Sequence, residues 1–438
     1  MDRRAQTGQA LLAAMAFMAP LLLAALWVLN AGTVINDKRR LQDAADAAAF
    51  SAAVWEARAL NYQSYLNRGI VANEVAIAQL VSLRSWSSYL GKTLDNNALV
   101  TGWVPYLGEA MLRLAETWRH VDQGLQVTLP PMEVALSQWN TQVLANAQAL
   151  ANQQALVGAA ELVLPVARQT EPRAELQAGT RVMQARNALT WQRSMTDRYR
   201  RGTELNRFKS LVEDSRDGFS ANRRADLLTG VPLVDITKRG GTDMIGQYAW
   251  RGMDTLSIHF DLLFGSREVP VGWGAAEQQS RAQATRGLHG GSWRDNPRAS
   301  RLAQGMLRPR QGYAGLPEIR DVVRPARRED LRAIYSVALK LPASKLETVD
   351  SLLAVRSIED PLGTGHGTSL DTTDEALHAV AAADVHFRRP VQRADGRREW
   401  PSLFNPYWQA RLVPTDATTR ATAAAGMGIL SDPYLVLP

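Results

Sequence analysis

Residues 10–29 read ALLAAMAFMAPLLLAALWVL, and residues 41–53, beyond the collar NAGTVINDKRR, read LQDAADAAAFSAA. The first stretch carries no charge, and at ~1.5 Å per residue it spans roughly 30 Å as a helix, the thickness of a bilayer's hydrocarbon core. No proline lies between Asn30 and Ala53, so one helix leaves the membrane and continues outside it. Pro20 falls inside the apolar part, where a bilayer helix tolerates it with a kink. The sequence therefore predicts a transmembrane helix over 10–30, with Ala10, Leu11, Phe17, Pro20, Leu23, Trp27 and Leu29 in its anchor. In the second stretch Leu41, Ala44, Ala45, Ala48, Ala49 and Ala52 form a candidate helix-packing face.

Bulk properties agree with a single span. The chain of 438 residues is long enough for two or three domains, and its hydrophobic content of 46% is ordinary for a globular protein. No other stretch reaches 18 apolar residues. The apolar run is too long for a signal peptide's h-region, and Trp27 to Asn30 give no small-x-small cleavage site, which predicts an uncleaved anchor. Cysteine is absent, which excludes a disulfide framework, thiol catalysis and zinc–thiolate sites. The formal charge of +7 leaves anionic headgroups, cell-wall polymer and nucleic acid all open as partners of a basic face.

Residues 54–225 read as helical. Trp55, Leu60, Tyr62 and Leu66 extend the first helix's apolar side, and Val71, Val75, Ala78, Leu80 and Val81 repeat near a 3.6 period. Breaks are expected at Asp95-Asn-Asn and at Thr128-Leu-Pro-Pro131. From Met132 to Leu164 an inner stripe is expected at Val134, Leu136, Trp139, Val143 and Leu150. The alanines there serve either close helix approach or helix propensity alone.

The pattern changes near Leu227. Gly230 to Thr237 reads as a strand, followed by a glycine turn at Lys238-Arg-Gly-Gly241. Thr255–Phe260, Ile334–Leu341 and Leu377–Phe387 alternate and are expected as half-buried strands of one antiparallel sheet. The fold class predicted is α+β: the membrane helix, a helical region over 31–225, and a mixed domain over 226–438. Within the last, residues 281–328 form an Arg/Gly/Pro-rich loop carrying Trp293 and Tyr313. Arginine interleaved with aromatics suits nucleic acid, but no nucleic-acid fold accompanies it, and a mobile or partner-docking loop is the preferred reading.

The N-terminal stretch also resembles the N-terminus of TadG-like proteins of the tight-adherence (Tad, or Flp) pilus machinery. In that family a basic start, a GQA turn into the membrane helix and an LQ-x-AADAAA-x-x-A segment occur together. Here these are Arg3 and Arg4, Gly8 to Ala10, and Leu41 to Ala53. The resemblance covers about fifty residues closely, and PSLFNPYWQARL (401–412) looks like a C-terminal segment of the same group. Two features depart from relatives. Pseudopilins cut by a prepilin peptidase carry a glutamate five residues after the cleavage glycine, where this chain has Ala13 after Gly8, so the sequence leaves cleavage at Gly8-Gln9 open. Larger TadG-like proteins carry a von Willebrand A domain with a D-x-S-x-S metal loop, which is missing here; Asp214-Ser-Arg-Asp217 has the wrong pattern.

The resemblance implies a single-pass protein of a bacterial inner membrane, with residues 1–9 cytoplasmic and the large C-terminal part exported. Its expected partners are pilin-like or other pilus-assembly membrane proteins and the lipid bilayer, with no nucleic acid and no small-molecule substrate. A count of flanking charge opposes that orientation, since Lys38, Arg39 and Arg40 outnumber Arg3 and Arg4. The aromatic stretch at Phe404, Tyr407, Trp408 and Arg411 serves either core packing or contact with another pilus component.

The search for catalysis yields no enzyme. Gly363-Thr-Gly-His-Gly-Thr-Ser369 is similar to the His-Gly-Thr of subtilisin-like proteases, but one short loop supplies both His366 and Ser369, and no aspartate motif precedes it. It also lacks a phosphate loop's lysine. Histidines 120, 259, 289, 366, 378 and 386 show no metal-ligand spacing, and Asp371, Asp374 and Glu375 read as a polar turn. No catalytic, cofactor-binding or metal residues are predicted. Besides the pilus component, a membrane-anchored adhesin or binding module and a tethered hydrolase around His366 and Ser369 stay open.

Overall fold

The structure, a computed structural model, describes residues 9–192, 197–199, 202–231, 233–262, 265–280, 292–322, 333–346, 357–358, 368–369, 376–397 and 399–426. It is α+β. Helix α1 (Gln9–Thr101) is followed by α2 (Leu107–Gln138), a π-helical segment (Trp139–Leu144) and α3 (Ala145–Thr170). Next come β1 (Glu175–Leu176), α4 (Ala178–Thr190), β2 (Asp197–Tyr199), α5 (Gly202–Asp214) and α6 (Gly218–Ala221). Long strands follow as β3 (Ala225–Val231), β4 (Val234–Ile245), β5 (Ala249–Leu262) and β6 (Gly265–Gln279). Then α7 (Ser292–Asp295), α8 (Pro297–Met306), β7 (Arg310–Gln311) and β8 (Ile319–Asp321) lead to β9 (Ala333–Pro342). The last described elements are β10 (Ser357–Ile358), β11 (Thr368–Ser369), β12 (Ala376–Phe387), β13 (Trp408–Val413) and α9 (Ala417–Gly426).

Two compact units emerge, each from non-contiguous segments: Met1–Tyr62, Ala151–Asp197 and Val322–Pro438 in the first, Gln63–Leu150 and Arg198–Asp321 in the second. In the first, an antiparallel sheet of order β1-β9-β12-β13 is covered on both faces. One face meets α1 and α3 through Tyr335, Val337, Leu339 and Leu341 of β9 and the alternate residues Leu377 to Val385 of β12, the alternation expected from sequence. The other face is covered by α4 and α9, where Met183 and Ala423 pack on Ala338.

The second unit holds a sheet of order β3-β4-β5-β6-β7, antiparallel except for the parallel pair β6–β7. Residues 81–93 of α1 lie directly on β5 and β6. At Gly274 a side chain would put its Cβ 2.2 Å from the Tyr89 amide nitrogen, so only glycine allows that approach. The helix face that α1 buries here mixes Ile70, Ile77, Ala78 and Val81 with polar and charged side chains. Glu74 accepts from Asn140 Nδ2 (2.9 Å), Trp250 Nε1 (3.0 Å) and the Tyr313 hydroxyl (2.8 Å). Arg84 pairs with Glu133 of α2 at 2.9 Å, both fully shielded. Asp254 is held by Arg223 (2.7 Å), Ser85 (2.7 Å) and Lys238 (3.3 Å). Buried charges with this many donors satisfy the requirement that ions leaving water be paired and hydrogen-bonded.

Several expectations are corrected. The strand at 255–260 belongs to the second unit's sheet, whereas 334–341 and 377–387 share the first unit's, so there are two main sheets. Asp95-Asn-Asn does not break α1, because tertiary partners occupy the side chains that otherwise compete for the backbone: Asp95 pairs with Arg119 and Asn96 donates to the Val271 carbonyl. Pro130 and Pro131 lie within α2. The lost amide donors are offset by burial of Leu129 and Pro130 and by the Arg84–Glu133 pair that follows. Gly240 and Gly241 sit inside β4 instead of a turn, since a Cβ at Gly240 would strike the Asp254 carboxylate. Trp55 and Tyr62 are exposed because the alanines and Leu60 take the buried side of α1 there, and Trp139, Val143 and Leu150 are exposed because the buried positions beside them are the polar Glu133, Ser137, Asn140 and Gln148. The 281–328 passage is partly regular: α8 packs on β6, its first amides donate to Glu268, and Tyr313 is a core residue.

Candidate functional site: the membrane helix and its alanine face

Every side chain from Leu11 to Leu29 is exposed around the whole helix circumference, apart from the half-buried Leu26. A fully apolar surface of that length is unstable in water and suits hydrocarbon, and this is one helix long and apolar enough to cross a membrane. Of the predicted anchor residues, Leu11, Phe17, Pro20, Leu23, Trp27 and Leu29 all lie on that surface; Ala10 is in the helix.

Burial begins abruptly at Asn30. Val34, Asp37 and then Leu41, Ala44, Ala45, Ala48, Ala49 and Ala52 are sealed inside the first unit. Their partners are small as well. Helix α3 presents Ala155, Ala159, Val163 and Ala167, a four-residue ridge, and β12 presents Ala379, Ala381 and Ala383. Alanine on both sides lets helix axes approach at the short end of the usual 8–10 Å range. Trp55 lies over Gly158 of α3, where a Cβ would come within 2.5 Å of the indole nitrogen.

Polar ties fix the register of α1 on this unit. Arg173 bridges Asp37 and Glu171, both at 2.7 Å, and its hydrogen bonds hold the Glu171 carboxyl below its usual range. Lys38 donates to the His378 carbonyl, and burial lowers its ammonium to about 8. Gln42 donates to the Val380 carbonyl at 3.1 Å. Asn61 binds the Trp408 backbone both ways, donating to its carbonyl at 2.9 Å and accepting from its amide at 3.0 Å. These pairs, together with Glu56–Asn187 and Trp191–Asn152, escaped the sequence reading; their signal is that Glu56 continues the spacing of the alanine face.

The aromatic cluster meets the same core. Trp408 is buried, its indole donates to the Ser402 carbonyl at 3.2 Å, and it packs edge-on to Phe387 at 5.4 Å. Tyr407 is half-buried, with the Arg389 guanidinium 5.5 Å above its ring, and Phe404 is half-buried too. Arg411 reaches solvent while pairing with the buried Asp384 at 3.0 Å. His259 meets Asn296 at 2.9 Å and His386 meets Asp384 at 3.1 Å. Among the described residues no three His, Cys, Asp or Glu side chains are placed to hold a metal. His289, His366, Asp371, Asp374 and Glu375 lie outside the described residues, as does the Ser369 side chain.

No curated protein and no solved structure matches the chain. Residues 8–55 match the family described as putative Flp pilus-assembly TadE/G-like. That match spans the exposed apolar helix and the buried alanine face together, so the N-terminal segment, about a tenth of the chain, is similar to TadE/G-like Flp pilus-assembly proteins over both of those features.

Proposed function

We propose that the chain is a single-pass, non-enzymatic component of Flp/Tad pilus assembly, acting as a minor-pilin-like or assembly-anchoring factor. Its large C-terminal part is exported, and it works by binding other membrane-embedded pilus components. The observation that carries this reading is the division of the matched segment into two halves. Residues 11–29 offer an uncharged surface to lipid or to other apolar helices, whereas the alanine face at 41–53 is consumed by the protein's own α3 and sheet. Partner contacts within the family segment therefore fall in the bilayer. Within Phe404, Tyr407, Trp408 and Arg411, the exposed Arg411 and half-buried Tyr407 are the contact candidates, and Trp408 is core.

Deleting the coding sequence in its native host and imaging the cells tests the proposal. The expected result is loss or sharp reduction of surface filaments, restored by the wild-type chain and by His366→Ala. Normal filament number and length in the deletion strain would overturn the pilus reading; loss of complementation with His366→Ala would overturn its non-enzymatic part.

A further inference from the structure

Helix α2 buries the wrong face for its hydrophobicity. Ala115, Leu129, Glu133 and Ser137 are covered by the second unit, and Asp122 and Gln126 bond to Ser88 and Arg84 of α1. Most of its large apolar residues, though not Leu112, Val127 and Leu129, follow a separate line. Leu107, Met111, Leu114, Trp118, Val121 and Leu125 repeat with 4-3 spacing, and Met132, Leu136, Trp139 and Val143 continue it. At about 100° per residue this seam is centred roughly 90° away from the buried face. Its members are half-buried or exposed, with Leu114 48% and Trp139 54% accessible.

The seam has the attributes of a helix-pairing surface. Its outer flank carries Ala110, Thr117 and Gly124 at seven-residue spacing, and a Cβ at Gly124 would meet nothing within 4 Å. Glu109, Arg113, Glu116 and His120 project from the opposite side of the helix, leaving the seam uncharged. Six of the ten, Leu107, Leu114, Val121, Met132, Trp139 and Val143, are 39–54% exposed, while Met111, Leu125, Leu136 and Trp118, which packs on Trp86 of α1, are half-buried. Together they leave on the order of 700 Å² of apolar surface, near the ~800 Å² that a stable interface takes from each partner. The hairpin tip that precedes it adds Leu99, Val100, Trp103 and Tyr106, the last 89% exposed. A soluble surface rarely leaves so much contiguous apolar area uncovered.

We propose that this seam is a homodimer interface, in which α2 pairs with α2 of a second copy by knobs-into-holes packing. Knobs-into-holes packing matches a 4-3 seam to a partner helix with the same repeat and an equally uncharged face. The chain's own seam supplies both, and copies held in one bilayer meet at raised effective concentration.

The absence of cysteine permits a direct test with the full-length chain in lipid nanodiscs or native membranes. Single cysteines at Leu114, Val121 or Met132 on the seam, and at Glu116 or His120 opposite, are oxidised alone and in pairwise mixtures. Covalent dimers from the seam positions and almost none from the opposite face are expected. Leu114→Lys with Val121→Lys should abolish cross-linking through Met132→Cys while leaving the circular-dichroism melt within a few degrees of wild type. Equal cross-linking from both faces, no seam cross-links in a chain that is monomeric by light scattering, or trapping solely of a different helical protein would each overturn the proposal.

Discussion

Glu56 offers the sharpest quantitative test of how α1 is buried. It sits one turn beyond Ala52 on the alanine face and is fully shielded. Asn187 Nδ2 donates to its Oε1 at 2.6 Å, but Oε2 has no partner among the described residues. Burial pushes its carboxyl from 4.5 to about 8, against the smaller opposing effect of the Asn187 bond. In the unfolded chain the group titrates near 4.5, so between these two values the folded state holds a proton that the unfolded state releases. Its contribution to stability is therefore fully present below pH ~4.5 and is lost as pH rises through ~8. At ~1.4 kcal/mol per pH unit the loss is on the order of 5 kcal/mol. Glu56→Gln preserves the shape, removes the ionisation and supplies a donor for the Asn187 Oδ1, which also lacks a partner among the described residues. Hydrogen exchange of α4 and β9 amides in the detergent-solubilised full chain, from pH 5 to 8, reads the first unit's stability. The two proteins should match at pH 5, with the variant progressively more protected as pH rises. A difference that stays constant across the range would refute the reasoning, because it would mean that Glu56 ionises normally.

Three further outcomes follow from the packing. Ala48→Leu should destabilise the first unit by ~1–3 kcal/mol through overpacking against α3 and β12, while Ala24→Leu on the exposed apolar surface leaves the melting temperature unchanged. Arg84→Met should cost about 3–5 kcal/mol by stranding the buried Glu133, and Arg84→Met with Glu133→Leu should recover most of it in denaturant titrations. Trp408→Ala should cost about 3–5 kcal/mol and expose the first unit to limited proteolysis, as expected of a core residue.

The long apolar helix was legible as an unbroken uncharged run, and the alanine face and the strands at 334–341 and 377–387 because each writes its burial in apolar residues at a regular period. The second unit was not, since its helices bury Asn67, Glu74, Arg84 and Ser85 on α1, Glu133 and Ser137 on α2 and Asn140 in the π-helical segment beside their apolar residues. A hydrophobic stripe search therefore selected Trp139, Val143 and Leu150, which face outward. The underlying signal is continuity of spacing: Ala52, Glu56, Leu60, Gln63, Asn67, Ile70 and Glu74 keep one 3–4 rhythm as their chemistry turns polar. Non-contiguous units were equally hidden, because the two-residue β1 acquires meaning solely through pairing with Lys340 and Leu339 of β9. Trp408 was found as an aromatic cluster, but its role became clear through Asn61, 347 residues away in sequence.

The measurement that bears most directly on the central claim is labelling of single cysteines in intact spheroplasts with a membrane-impermeant maleimide. Gln409→Cys, on the exposed side of β13, reports the large C-terminal part, and Arg3→Cys reports the N-terminus. A single-pass anchor with an exported domain predicts labelling at 409 and protection at 3 until the membrane is permeabilised. Protection at 409 with labelling at 3 would place the domain in the cytoplasm and contradict the account.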